Sequence, residues 1–160
     1  MDVIIRKARL KDVSGITRLW QQLIGCHQNV CGYDKPLFAH KKNALSIYRK
    51  YITKCIRSRN SLVLVAESDN ALVGFVEAAI GKLPDIYLHD RELRILGIYV
   101  DENFRRKGIS RKFFSEVAKW GKKKKVYSLG LMCSVHNENA HRSYSKIGFE
   151  EHHWKMSKVI

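Results

Sequence analysis

The sequence predicts an α/β domain built around one mixed sheet. Two patterns point there. Apolar residues recur at helical spacing in several stretches, and these alternate with short β-branched runs bounded by turn residues. The order of the stretches (a strand, two helices, a hairpin, a strand, then helix, strand, helix and a final strand) interleaves the two kinds, as sheet-and-helix layers require. The length agrees: 160 residues make one core in which roughly two-thirds of the unfolded surface is buried, so residues 1–160 are expected to form a single domain.

Each element has its own signal. Val3-Ile4-Ile5-Arg6-Lys7-Ala8 reads as a strand, and Asp12 is placed as the N-cap of a helix carrying Val13, Ile16, Leu19, Trp20, Leu23 and Ile24 on one face. Gly25 is expected to end that helix, with a polar loop from Cys26 to Lys35 that holds Gly32, and with Pro36 just beyond. A second helix is expected from about Phe38 to Arg57, carrying Ala44, Leu45, Ile47, Tyr48, Tyr51, Ile52, Cys55 and Ile56, with a strongly basic other face. Ser61–Glu67 and Ala71–Ile80 flank an Asp69-Asn70 turn and form a hairpin. Pro84 interrupts the chain before a strand at Leu93–Val100. A basic amphipathic helix follows from about Arg106–Gly108 to Trp120, with Gly121 at its end. Tyr127–Cys133 reads as a strand. Asn137–Asn139 opens a short helix to Lys146, Gly148 closes it, and Phe149–Lys158 reads as a last strand or hairpin.

Composition excludes several classes. With 45% hydrophobic and 28% charged residues the chain is not disordered, and two prolines with ten glycines exclude collagen-like repeats. The apolar run Leu62–Ala66 is far shorter than the roughly 20 residues of a membrane helix. Met1–Lys7 carries charge where a signal peptide needs its apolar stretch, so a cytoplasmic location is expected. Cys26, Cys31, Cys55 and Cys133 lack any CxxC spacing and read as free thiols. His136, His141, His152 and His153 show no metal-ligand pattern. The net charge of +15 suits an anionic partner of some kind, or simply a solvated basic surface, as the run Lys122–Lys125 past a helix end illustrates.

The most informative stretch is the strand–turn–helix at 95–120. Its turn reads Phe104-Arg105-Arg106-Lys107-Gly108-Ile109-Ser110-Arg111. The first turn of a helix has unpaired N–H groups and partial positive charge, so it holds phosphate oxygens. Gly108 lets a ligand approach the backbone, and the basic residues add attraction. A pyrophosphate site is the physical expectation.

Arg105-x-x-Gly108-x-Ser110 after the strand Ile98-Tyr99-Val100 resembles the acetyl-CoA signature [Q/R]-x-x-G-x-[G/A] of the GNAT superfamily of N-acetyltransferases. Asn137-Glu138-Asn139-Ala140 followed by Tyr144-Ser145-Lys146-Ile147-Gly148-Phe149 is similar to its N-x-x-A-x-x-x-Y-x-K-x-G-F element. Ser110 departs from the usual Gly or Ala, and its hydroxyl is small enough to leave the turn usable. The resemblance implies a mixed, mostly antiparallel sheet of six to seven strands with about four helices. It also implies acetyl transfer from acetyl-CoA to a primary amine by direct attack, with no metal.

Carried over residue by residue, the resemblance implies that the backbone of Ile98, Tyr99 and Val100 pairs with the pantetheine arm like an added strand. Gly97 would host a bulge whose freed N–H polarises the thioester carbonyl. Arg105, Arg106, Lys107, Gly108, Ile109, Ser110 and Arg111 would take the pyrophosphate. Asn137 would bridge cofactor and backbone with Asn139 beside it, N-capping being the other reading of both. Tyr144 would serve as general acid to the leaving thiolate. Arg94 stands where the family often has its basic carboxylate, so Glu92, on the same strand face, is the candidate base, ahead of Glu77 and His89.

The acceptor pocket of this architecture is expected from the two N-terminal helices and the loops 26–41 and 82–91. Asp85, Asp90, Glu92 and Tyr87 there would attract a cationic amine such as a polyamine, an aminoglycoside or a protein amine. An acetyl-CoA-binding regulator and a basic nucleic-acid-binding module are the alternatives, although no helix-turn-helix, RNA-recognition or zinc-finger signature is present. A homodimer fits the architecture, and no membrane partner is expected.

Overall fold

The computed structural model describes residues 2–31 and 39–153. Nine regular elements follow one another: β1 (Ile4–Lys7), α1 (Val13–Cys31), α2 (Ala44–Arg57), β2 (Ser61–Ser68), β3 (Ala71–Lys82), β4 (Arg91–Val100), α3 (Ile109–Lys123), β5 (Ser128–Leu131) and α4 (Glu138–Ser145). The strands make one sheet in the order β1-β2-β3-β4-β5. β1 to β4 are antiparallel neighbours, and β5 joins β4 in parallel. A parallel neighbour needs a crossover, and α3 supplies it. The sheet is thus mixed and mostly antiparallel, with five strands among the described residues rather than six to seven. Of the strand expected at Phe149–Lys158, residues 149–153 are not extended into the sheet and the rest lie outside the described residues.

The period of two along β2 divides the interior. Leu62, Leu64 and Ala66 join Leu93, Ile95, Phe113 and Val117 in a core under α3, while Val63 and Val65 meet Ile16, Leu19, Tyr48, Ile52 and Phe75 under α1 and α2. The hairpin turn is as expected: Asp69 and Asn70 both have positive φ, 49° and 62°, as the two central residues of a tight primed turn must. Arg6 ties the sheet edge to the start of α1, donating to Asp12 at 2.7 Å and to Glu67 at 2.6 Å. The Arg6 guanidinium holds the Asp12 carboxyl below the usual carboxylate range, and Asp12 also accepts the Arg9 N–H at 2.6 Å. So Asp12 closes the 3-10 turn at 10–12 just before α1.

Two glycines expected to end helices do not. Gly25 lies inside α1, which runs on to Cys31, and Gly121 lies inside α3. Gly121 is there for contact: a Cβ would come within 2.8 Å of Leu93. α2 starts at Ala44, later than the expected Phe38, which lies outside the described residues along with Gly32 and Pro36. Among the described residues no helix is long and apolar enough to cross a membrane.

Candidate active site

β4 and β5 part company near their middle. Their ladder ends at Ile95↔Leu131, but β4 continues to Val100 paired only with β3. From Leu96 to Val100 one edge of β4 therefore has no strand beside it among the described residues, because β5 ends at Leu131, and the N–H and C=O groups of that edge lack a ladder partner there. At the point of parting, β4 carries a bulge: Ala78 pairs with Ile95 while Glu77 pairs with Gly97, so Leu96 is the extra residue. The bulge expected at Gly97 is thus found at Leu96–Gly97. It resets the strand's faces. Leu93 and Ile95 point to the α3 core before it, Ile98 and Val100 do so after it, and Gly97 and Tyr99 turn to the α1–α2 side.

On that side the structure brings one carboxylate to the bulge. Glu77 lies opposite Gly97, only 5% exposed, with Tyr48 of α2 donating its hydroxyl hydrogen to Oε2 at 3.3 Å. Burial pushes the Glu77 carboxyl up to about 7, and the Tyr48 hydrogen bond opposes part of that rise. Tyr48 is itself stacked on Trp20 of α1 at 4.3 Å between ring centroids. Gly97 has to be glycine here, since a Cβ would stand 2.7 Å from Glu77 Oε1.

Tyr144 of α4 approaches the same point from the other side of the sheet. Its ring packs edge-on against Phe114 and Phe149, at 5.7 and 6.0 Å, in the α3-side core. Burial, with a smaller contribution from neighbouring Cys133, pushes its hydroxyl up to about 12. Cys133 and Gly97 each lie two residues beyond the last paired positions, Leu131 and Ile95. Glu77 thus lies at the bulge on the α1–α2 face, and Tyr144 lies on the α3 face near Cys133.

The turn after β4 closes the far end. Gly108 is the N-cap of α3 with φ +76°, and a Cβ there would meet nothing within 4 Å, so the space before the helix is open. The side chains of Arg106, Lys107, Ser110 and Arg111 on this turn are exposed, with the Lys107 ammonium over the Phe104 ring at 4.8 Å, while Ile109 is buried and anchors the helix. Arg105 differs from its basic neighbours. Its guanidinium turns back to the Val100 carbonyl at 3.1 Å, to Glu102 at 3.5 Å and over the Tyr99 ring. It braces the turn. Asn137 is the N-cap of α4, its Oδ1 accepting the Ala140 N–H at 3.2 Å, and Asn139 accepts from Arg142 at 2.8 Å. Both asparagine amides thus serve their own helix.

The base expected from the sequence is elsewhere. Glu92 lies in the paired part of β4, opposite Ser128, with Arg94 donating to it at 2.6 Å. His89 stacks on Tyr127 at 4.0 Å. The acidic loop expected to draw in cations is neutralised: Asp85 pairs with Lys82 at 2.7 Å and Asp90 with Arg91 at 4.0 Å. What the sequence reading passed over was Tyr48. The signal for Glu77 was a carboxylate set in the otherwise apolar run Val73–Ile80.

A sheet that opens beside a bulge, ahead of a helix N-terminus fit for phosphates, is the frame of an acyl-coenzyme A enzyme. The chain belongs to the acetyltransferase (GNAT) family, whose model matches residues 17–149. It is 30% identical over 121 residues to the uncharacterized N-acetyltransferase MJ1207 of Methanocaldococcus jannaschii, covering 75% of this chain and 51% of that protein. The chain therefore spans about half the length of this relative. Among solved structures, a tetramutant of the BH1408 protein from Bacillus halodurans superposes with a TM-score of 0.83 at 22% identity, covering 98% of this chain and 99% of that one. A predicted acetyltransferase with acetyl-CoA from Clostridium acetobutylicum gives 0.81 at 16%, covering 99% and 96%. AAC(6')-Iy in complex with a CoA-S-monomethyl-acetylneamine bisubstrate analogue gives 0.75 at 19%, covering 100% and 99%. At these identities the likeness speaks for the fold alone.

The open space before Gly108, ringed by cations, fits a diphosphate, and the lone β4 edge fits an extended amide arm. Gly108→Ala would force an L-side chain into the left-handed region, a cost of about 1–2 kcal/mol to the fold with or without ligand, and would put a methyl group into the space a diphosphate would fill. The expected result is a roughly tenfold rise in the Kd for CoA by titration calorimetry. An unchanged Kd would place the diphosphate elsewhere.

Proposed function

We propose that the chain transfers the acetyl group of acetyl-CoA to a primary amine by direct attack. The observation that carries the reading is the β4 bulge, which sets Glu77 against Gly97 at the point where β4 loses its β5 neighbour. Ile98, Tyr99 and Val100 hold the pantetheine amides along the free edge of β4. The N–H groups turned out by the bulge at Leu96–Gly97 donate to the thioester oxygen as it gains negative charge. Gly108, Ile109 and Ser110 offer first-turn N–H groups to the diphosphate, with Arg106, Lys107 and Arg111 around it.

Glu77 takes a proton from the acceptor. An alkylammonium has a pKa near 10, and a carboxylate near 7 is a far better base for it than an ordinary glutamate. The freed amine forms the C–N bond to the carbonyl carbon, and the C–S bond breaks. Tyr144 donates a hydrogen bond to the departing sulfur. Its hydroxyl, near 12, is weaker as an acid than a thiol near 8.5, so it steadies the thiolate more than it protonates it; solvent completes the proton transfer. No nucleophilic residue is needed, because attack is direct.

The test is release of free thiol from acetyl-CoA by the purified protein across a panel of primary amines. Amine-dependent release with stoichiometric acetyl-amine is expected. CoA binding without thiol release from any amine would replace the enzyme with a coenzyme-sensing protein.

A further inference from the structure

Below the bulge, the α1–α2 face of the sheet carries a second polar feature. Arg94 and Glu92 point to the same face as Glu77, since Arg94 pairs with Ala79 and Glu92 with Gly81 along an unbroken period of two. Both side chains lie flat over glycines: a Cβ at Gly81 would meet the Arg94 guanidinium at 3.3 Å, and one at Gly130 would meet Glu92 Oε1 at 2.6 Å. The glycines on β3 and β5, the two strands flanking β4, thus leave room for the two side chains to lie across the sheet.

Glu92 engages only the Nε of Arg94, at 2.6 Å, and the Arg94 side chain remains 45% exposed. The end of the guanidinium fork, with its two terminal nitrogens, suits a carboxylate bidentately. The electrostatic setting favours an anion as well. The acids of the neighbouring loop, Asp85 and Asp90, are paired with Lys82 and Arg91. Gly81 lies four residues from Glu77 on β3, about 13 Å along the strand.

We infer that the acceptor is an elongated aminocarboxylate, its amine at Glu77 and its carboxylate on Arg94. This rests on the acetyl-transfer reading above and names the substrate class for that site. It reverses the cationic acceptor that the loop sequence suggests, because Asp85 and Asp90 are paired with Lys82 and Arg91, whereas Arg94, bound to Glu92 through Nε, has no partner on its terminal nitrogens among the described residues.

The test compares aliphatic ω-amino acids, from β-alanine to aminooctanoate, with octylamine and diaminooctane in the thiol-release assay. Aminooctanoate should exceed octylamine in kcat/KM by at least about tenfold, and β-alanine should be too short to share the gain. Arg94→Gln should bring aminooctanoate down to the level of octylamine and leave octylamine itself unchanged. Arg94→Lys, which keeps the charge without the fork, should recover part of the preference. Equal rates for octylamine and aminooctanoate, a preference for diaminooctane, or a carboxylate preference that survives Arg94→Gln would each overturn the inference. Calorimetry of acetamidooctanoate, the acetylated product, on the CoA-loaded protein separates the two readings. Arg94-dependent binding without thiol release from any amine would sink acetyl transfer and keep the anion site. No Arg94-dependent binding would sink the anion site.

Discussion

Glu77→Gln should lower kcat/KM for acetyl transfer by two to three orders of magnitude while leaving the Kd for CoA within about twofold, the range expected when a positioned general base is removed. Glutamine is isosteric and still accepts the Tyr48 hydroxyl, so the loss isolates the proton-transfer role. In the unmodified chain the rate should rise with pH through an ionisation near 7, because only the carboxylate form accepts the proton. That acid limb should disappear from whatever activity the variant keeps.

The same substitution has a second readout, of opposite sign. A carboxyl whose pKa is about 7 in the folded chain and near 4.5 when unfolded holds its proton more tightly in the folded state. The folded state is therefore favoured below about 4.5, loses that advantage as pH rises to about 7, and is level above it. The buried charge costs on the order of 3 kcal/mol at pH 8, by the conversion of pKa shift to free energy. Glu77→Gln should thus unfold at a higher denaturant midpoint than the parent at pH 8, and the difference should shrink toward pH 5. A less active and more stable variant at pH 8 is the signature of strain kept for chemistry. Equal activity in parent and variant would return the base to Glu92 or to water.

Tyr144→Phe should reduce kcat by about tenfold to a hundredfold with little change in the Kd for CoA, the loss of one hydrogen bond to charge developing on the sulfur. Phenylalanine keeps the edge-on contacts with Phe114 and Phe149, so thermal unfolding should move by no more than a degree or two. The parent's rate should show no basic limb from this residue below pH 10, since the hydroxyl, near 12, keeps its proton. A leaving group of lower pKa than an alkyl thiol needs less help. The defect of Tyr144→Phe should accordingly narrow with an acetyl arylthioester analogue. A defect equal for both thioesters would make Tyr144 a packing residue.

The framework of the fold and one end of the site were legible in the chain, and the physics says why. Strands β2 to β4 and helix α3 declare themselves through local periodicity, and the Arg105–Ser110 turn does so through residues that neighbour each other in sequence. The base proposed above was not legible in that way. Glu92 was favoured by its place on the motif strand, whereas Glu77 reaches Gly97 only through β3–β4 register and a one-residue bulge. Tyr48 meets Glu77 across 29 positions, on a helix whose apolar face gives no hint of a hydroxyl put to use. The backbone half of the bridge expected of Asn137 is there, its Oδ1 capping the α4 N-terminus. Glycine as a stop signal failed twice: α1 runs six residues past Gly25, and Gly121, set by its close contact with Leu93, stands two residues before the end of α3.

The solitary rim of β4 past Leu96 has a bearing on colloidal behaviour. An unpaired row of amide and carbonyl groups is a template on which any extended segment can dock, a second copy of the same polypeptide included. Coenzyme lying along that rim would shield it. Without that cover, the long-range repulsion between molecules that each carry +15 is what holds one copy off another, so raising the salt concentration should favour clumping most when coenzyme is scarce.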